Sequence, residues 1–357
     1  MKKAGIYLLL LILTLSILGT ISCSSSSTPT STTPAVTAPA AATSAPAAKA
    51  VVLRLAMGAP PVDPMVAEME KMAKKVTERT NGRYAMQIFA GDSLIKTPEA
   101  LDAVRTGTIE MANSLPSWLS GSDMIFSTAE LPFMFNNLKA AFAGCEPLRQ
   151  IYSAVLEKKF NQKMIQLYAS SDLELCSRKP VQTLDNWKGL LVAGQDNNVS
   201  LTVQALGGSP VSMPWPDQYP SLQKGVIDGA FSTTMAMASL KEYEVAPYLV
   251  LCSAFPCLCG TMINLDLWNK MSKDDQAILM QEAENCTASM KTLFLQSTDS
   301  VPQDLAKAGM KVYTLPAAER DKWKAASRTA YDKIMSGVGP DAQKITDIIN
   351  KANSDNP

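Results

Sequence analysis

Histidine is missing from all 357 residues. That removes Ser-His-Asp and Cys-His nucleophile systems and every His-ligated metal site. Beyond Cys23 there are six cysteines: Cys145, Cys176, Cys252, Cys257, Cys259 and Cys286. "CLC" at 257–259 offers thiolates, but the two-residue spacing of a zinc pair is absent and no second pair follows. An exported chain forms disulfides or buries its thiols, and the spacing selects no pairing. The acids that invite a glycosidase-like enzyme are Asp172 and "EYE" at 242–244. They form no recognisable acid–base pair. What remains is the chemistry of binding. Trp215 sits between two prolines in "MPWPDQYP" and Trp118 in "SLPSWLSG". An indole face stacks on rings and attracts cations by about 0.5–2 kcal/mol per contact. Each tryptophan also suits core packing.

These side chains need elements to present them. "VVLRLAMG" alternates as a strand ending at Gly58. Val66, Met69, Ala73 and Val76 share one helical face, which Asn81-Gly82 ends. "YAMQIFAG" is the next strand, and Thr97-Pro98 opens a helix with proline at its first turn. "AVRTGTIEMA" (103–112) and "SLQKGVIDGA" (221–230) match: Gly107 with Gly225, Ile109 with Ile227, Glu110 with Asp228. Each copy stands late in a strand–helix–strand series, as two similarly wound α/β domains require. Ligands of open α/β sheets bind beyond the carboxyl ends of the strands. The ends facing one another are then Gly58, Asn113, Ser114 and Trp118, Ala193, and Phe231 with Ser232. "APYLVLCSAFPCLCGTMI" (246–263) reads as two buried strands bent near Pro256, and Ser272 caps a long helix. A last strand is expected over 308–315, with helices around 317–335 and 340–352.

The first 50 residues read differently. Met1-Lys2-Lys3, an apolar stretch over 6–18 and "GTISC" form a secretory signal, 1–23. The apolar stretch is short of the roughly 20 residues that span a bilayer. A cysteine at the cleavage position resembles bacterial lipoproteins, in which Cys23 would carry the membrane lipid. Residues 24–50 hold only Ser, Thr, Pro, Ala, Val and one Lys, a disordered tether. Basic and acidic residues balance at 33 each without long runs, so no nucleic-acid surface is expected. No cofactor or metal is expected either.

The motifs "GDSLIKTPEALDAVRTGTIEMA", "ELPFMF", "RKPVQTLDNWKGLLV", "ALGGSPVSMPWPDQYPSLQKGVIDGAF" and "INLDLWNKMSKDDQAIL" occur in this order. Together they make the chain, over about 51–350, resemble the DctP-type solute receptors of TRAP transporters. The resemblance implies a two-domain, periplasmic-binding-protein-like α/β fold with a hinge and a long connecting helix. It implies discontinuous domains, 51–171 with 258–298 and 172–257 with 299–357. It also implies a small organic solute carried to a permease with a small and a large membrane subunit. Relatives hold an acid with an arginine just after "KGLKI"; counting from Gly189, Ala193 stands there. Their second arginine falls near Ser171-Asp172. Their phenylalanine in "MPFxE" is Trp215 here. No arginine lies between Arg178 and Arg320. The expected ligand is therefore neutral, amphipathic or cationic. The competing classes are a secreted enzyme using carboxylates and a structural surface lipoprotein.

Overall fold

The computed structural model describes residues 50–357, apart from Gln195, Pro214 and the side chains of Trp215 and Pro216. The signal segment with Cys23, and the tether up to residue 49, lie outside the described residues.

The chain opens with strand β1 (Val51–Met57) and helix α1 (Pro64–Arg79). Asp63 caps α1 by accepting from the Met65 N–H, and Pro64 takes the first position, where no donor is needed. The buried face of α1 is Val66, Met69, Met72, Ala73 and Val76. Next come β2 (Tyr84–Phe89), α2 (Thr97–Thr106) and β3 (Met111–Ser114). Helix α3 (Leu138–Lys159) leads into the long strand β4 (Gln162–Ser177). Then follow β5 (Leu191–Gly194), α4 (Asn197–Leu206), β6 (Ser209–Ser212), α5 (Trp215–Lys224), β7 (Gly229–Thr233) and α6 (Thr234–Ser239). A second long strand, β8 (Tyr248–Asn264), precedes α7 (Leu265–Lys270), α8 (Lys273–Lys307) and β9 (Lys311–Thr314). The chain closes with α9 (Ala317–Ala326), α10 (Arg328–Val338) and α11 (Ala342–Asp355).

The strands form one sheet in the order β2-β1-β3-β8-β4-β7-β5-β6, with β9 beside β8. Its two ends repeat each other. β1 lies parallel between β2 and β3 as β5 lies between β6 and β7. Gly107 and Gly225 both turn left-handed, with φ of 74° and 72°, where a side chain would strain the backbone. Ile109 and Ile227 are both buried. The Glu110 carboxylate accepts from the Arg54 backbone N–H of β1, and Asp228 accepts from the Leu191 N–H of β5. The ten-residue match in sequence is thus a structural equivalence.

Antiparallel β4 and β8 carry the sheet from one half to the other. The expected pair of strands bent at Pro256 is instead a single strand, and Pro256 sits in the ladder opposite Asp172. The break comes earlier. Pairing steps from Leu175–Val250 to Leu173–Phe255, leaving residues 251–254 as a bulge, with Ser253 at a φ of 46°. Buried backbone groups must find partners, and side chains supply them. One Glu174 carboxylate oxygen accepts from the Cys252 and Ser253 N–H groups at 2.5 and 2.9 Å. Arg320 donates to the carbonyls of the same two residues at 3.0 and 3.2 Å.

Helix α8, capped by Ser272, runs over 35 residues and packs on α1, β4, α6 and β9. Helix α10 bridges α4 and the 3₁₀ segment Met124–Glu130, while α11 lies on α3. An aromatic chain crosses the core: Trp323 meets Trp187 edge-on at 5.1 Å, Trp187 stacks on Phe231, and Phe231 meets Phe255 edge-on at 5.2 Å. It fastens α9 to β7 and β8. All six described cysteines are buried and free of disulfides. Among the described residues, no helix is long and apolar enough to cross a membrane.

Candidate functional site

Strand β5 ends at Ala193-Gly194 with no charged side chain, for a packing reason. A Cβ on Gly194 would overlap the Val199 side chain of α4, so the end of β5 stays bare to let that helix approach. Ala193 is fully buried among Cys176, Leu222 and Ile227 in a small core under β5. Gly58 is exposed at the end of β1, tight against Thr97 and Asp92.

Beyond β3 the residues divide. The Asn113 amide donates to Thr261 Oγ1 at 2.9 Å and its oxygen accepts from the Tyr168 hydroxyl at 3.2 Å. Asn113 is therefore held inside a structural network. The Ser114 and Ser117 hydroxyls are buried without partners, and so is the indole N–H of half-buried Trp118. Phe231 belongs to the aromatic chain, on the opposite face of β7 from Ser232. Ser232 is fully buried beside Glu242, whose carboxyl burial pushes up to about 7. The Trp215 backbone opens α5; its side chain lies outside the described residues.

Two acids that the sequence reading did not single out stand next to Ser117. Glu130 ends the 3₁₀ segment after β3, and Asp196 caps α4 just past β5, accepting from the Val199 N–H. Their carboxyl groups lie against each other, and the Ser117 hydroxyl and Cys257 thiol adjoin Glu130. Burial first, then Asp196, holds the Glu130 carboxyl well above the ordinary range. Asp196 is half-buried, so the unfavourable burial of charge falls on Glu130. Asn198 locks this corner, its amide donating to the Ser127 and Glu130 carbonyls at 2.5 and 3.3 Å. The two acids come from the two repeated halves of the fold, so the contact crosses between them. Of the residues expected from sequence, Trp118 directly follows Ser117 in the chain. Gly58, Asp172 and Phe231 stand elsewhere. The available signal was an acid at each of two strand exits, Glu130 before "LPF" and Asp196 after "AGQ".

Asp172 stands at the β8 bulge beside Ser253 and Arg320. Burial pushes its carboxyl up to about 6, against the pull of Ser253 and Arg320. Glu174, two residues on, is pushed up to about 8 by burial and then by Asp172. The Arg320 guanidinium is committed to backbone: beyond Cys252 and Ser253 it donates to the Phe135 carbonyl and lies 5.2 Å from the Phe133 ring centre. Among the described residues, no group of three or more metal-ligating side chains comes together. A groove of about 460 Å³ between α3 and α11 and one of about 140 Å³ beside β9 both lie away from the strand ends.

Comparison with known proteins gives this geometry a family. The model for bacterial extracellular solute-binding protein, family 7 (DctP), matches residues 55–337. A solute-binding protein of Chromohalobacter salexigens is 25% identical over 295 residues, 81% of this chain and 86% of that one. The C4-dicarboxylate-binding periplasmic protein of Rhodobacter capsulatus is 24% identical, with 82% and 89% covered. A TRAP periplasmic solute-binding protein of Haemophilus influenzae, solved with bound L-gulonate, superposes with a TM-score of 0.79 at 24% identity, over 85% of this chain and 99% of that one. These proteins are two-lobed solute receptors, not enzymes, of the extracytoplasmic space. The chain belongs to the family 7 extracellular solute-binding proteins, the DctP-type receptors of TRAP transporters.

Proposed function

We propose that this receptor captures a small organic solute that is not a simple carboxylate and passes it to a TRAP permease of a small and a large membrane subunit. The observation that carries the reading is that buried Glu130, at the end of the 3₁₀ segment after β3, faces half-buried Asp196 at the exit of β5. The named relatives that bind L-gulonate or C4-dicarboxylates take acids; here alanine fills position 193 and Arg320 is engaged with carbonyls. A bidentate arginine clamp has no substitute in a methyl group, and two facing acids disfavour an anionic ligand. The proposed lobes are 51–171 with 258–298 and 172–257 with 299–357, closing about β4 and β8. Trp215, Trp118, Ser114 and Ser232 are proposed to line the gap. Cys23 is proposed to carry the lipid that holds the receptor to the membrane, with 24–50 as tether.

Closure is driven by the ligand's greater affinity for the closed state. The test is X-ray scattering with a solute that raises the melting temperature. The radius of gyration is expected to fall when that solute is added. An unchanged radius would overturn the two-jawed mechanism. Tight binding of a small dicarboxylate by the wild type would overturn the choice of solute.

A further inference from the structure

The acid pair has features that a structural contact does not need. Glu130 is 1% exposed and Asn198 2%, yet one oxygen of Glu130, one of Asp196 and the Asn198 side-chain oxygen accept nothing from the protein. Asn198 has spent its N–H groups on the carbonyls of Ser127 and Glu130, so only its acceptor is left over. The Ser117 hydroxyl, 1% exposed and also without a partner, lies against the Glu130 carboxyl. The neighbouring charges that act on Glu130 are those of Asp196 and Cys257, both acidic. A buried carboxyl facing a second acid with no counter-charge is costly, and a fold gains nothing from three idle acceptors in one corner.

We propose that the solute is an organic cation whose ammonium group is held between Glu130 and Asp196, with the Asn198 side-chain oxygen as a third acceptor.

This rests on the receptor reading above and narrows it. An ammonium has three donors and no acceptor, and the corner offers three free acceptor oxygens. Without ligand, burial and the neighbouring Asp196 favour the protonated Glu130 carboxyl. When the cation enters, the Glu130 proton leaves to solvent and the ammonium donates charge-assisted hydrogen bonds to both acids. A polyol hydroxyl could donate to one carboxylate but brings no positive charge to set against the two acids. The positive end of α4 opposes a cation, but Asp196, as that helix's cap, lies between the two. Since Glu130 and Asp196 belong to opposite halves, the same ammonium ties the halves together on closing. Trp118, beside Ser117 in the chain, supplies an aromatic surface for the organic part.

The test is a binding panel at pH 8, by thermal shift and then calorimetry: ethanolamine, putrescine and agmatine, with D-glucose and D-glucuronate as uncharged and anionic probes. At least one of the three cations is expected to bind at one per chain. Glu130→Gln and Asp196→Asn should each weaken it by tenfold or more, while Asp332→Asn on exposed α10 leaves it unchanged. Calorimetry in buffers of different ionisation enthalpy should show proton release on binding, which a merely structural acid pair would not give. Binding of D-glucose alone, or of none of the five, would overturn the cation assignment and leave the receptor intact. Binding of D-glucuronate would overturn both this assignment and the exclusion of acids. Should either variant misfold, proton release in the wild type decides alone.

Discussion

Glu174 and Arg320 grip the same two residues of the β8 bulge from opposite sides. Glu174 takes the N–H groups of Cys252 and Ser253, and Arg320 takes their carbonyls. Neither residue touches the Glu130–Asp196 corner. Together they replace, with side chains, the ladder bonds lost where the sheet passes from one half to the other.

The first consequence is a pH dependence of stability. Burial raises Glu174 to about 8 and Asp172 to about 6, against roughly 4.3 and 3.9 in an unfolded chain. The folded state therefore holds more protons across that window. The stabilisation is complete below the unfolded values and is lost as pH rises through the folded ones. The melting temperature should fall by about 2–5 °C between pH 6 and 9. Glu174→Gln keeps an oxygen for the two amides and should flatten the curve above pH 7. An equally steep fall in that variant would remove Glu174 from the account.

Arg320→Lys keeps the charge but loses the planar fork that reaches three carbonyls. It should destabilise the protein by about 1–3 kcal/mol in denaturant titration. If lysine proves as stable as arginine, the bulge is held by Glu174 alone.

Gly194→Ala should cost about 1–3 kcal/mol through overpacking against Val199. Adding Val199→Ala should recover only part, since the Val199 Cβ itself lies 2.7 Å from where the new methyl would sit. A neutral Gly194→Ala would mean that α4 shifts freely.

Phe231→Ala opens the aromatic chain at its centre and should cost about 3–5 kcal/mol of stability. Stability unaffected and affinity lost would instead place Phe231 in the gap.

Trp215→Ala is expected to weaken binding of whatever solute co-purifies by about 1–3 kcal/mol, the range of stacking contacts elsewhere. Isothermal titration decides it; unchanged affinity would move the indole to packing.

How much of this was legible follows from the range of the forces. Caps and left-handed glycines act within one turn, so Ser272, Gly107 and Gly225 announced their helices, and the repeat announced two equivalent halves. The β8 bulge was not legible, because its partners are 78 and 68 residues away; proline chemistry pointed to Pro256 instead. Strand ends are fixed by topology, so the expectation of Ser114 and Trp118 rested on strand order alone. Glu130 and Asp196 are unremarkable in their own segments and acquire meaning only where α4 meets the segment after β3.

The strand order has a consequence for how the chain reaches this state. The half built on β1 ends its sheet with β8, encoded far downstream, and the half built on β5 ends with β4, encoded upstream. The first half is therefore finished by a strand from beyond the second, and the second by the strand that precedes it. During synthesis and export, β3 presents a naked edge until residue 264 has emerged, and such an edge recruits foreign strands. A chain cut after α6 would leave that edge permanently open, and aggregation rather than a working half-receptor is its expected fate.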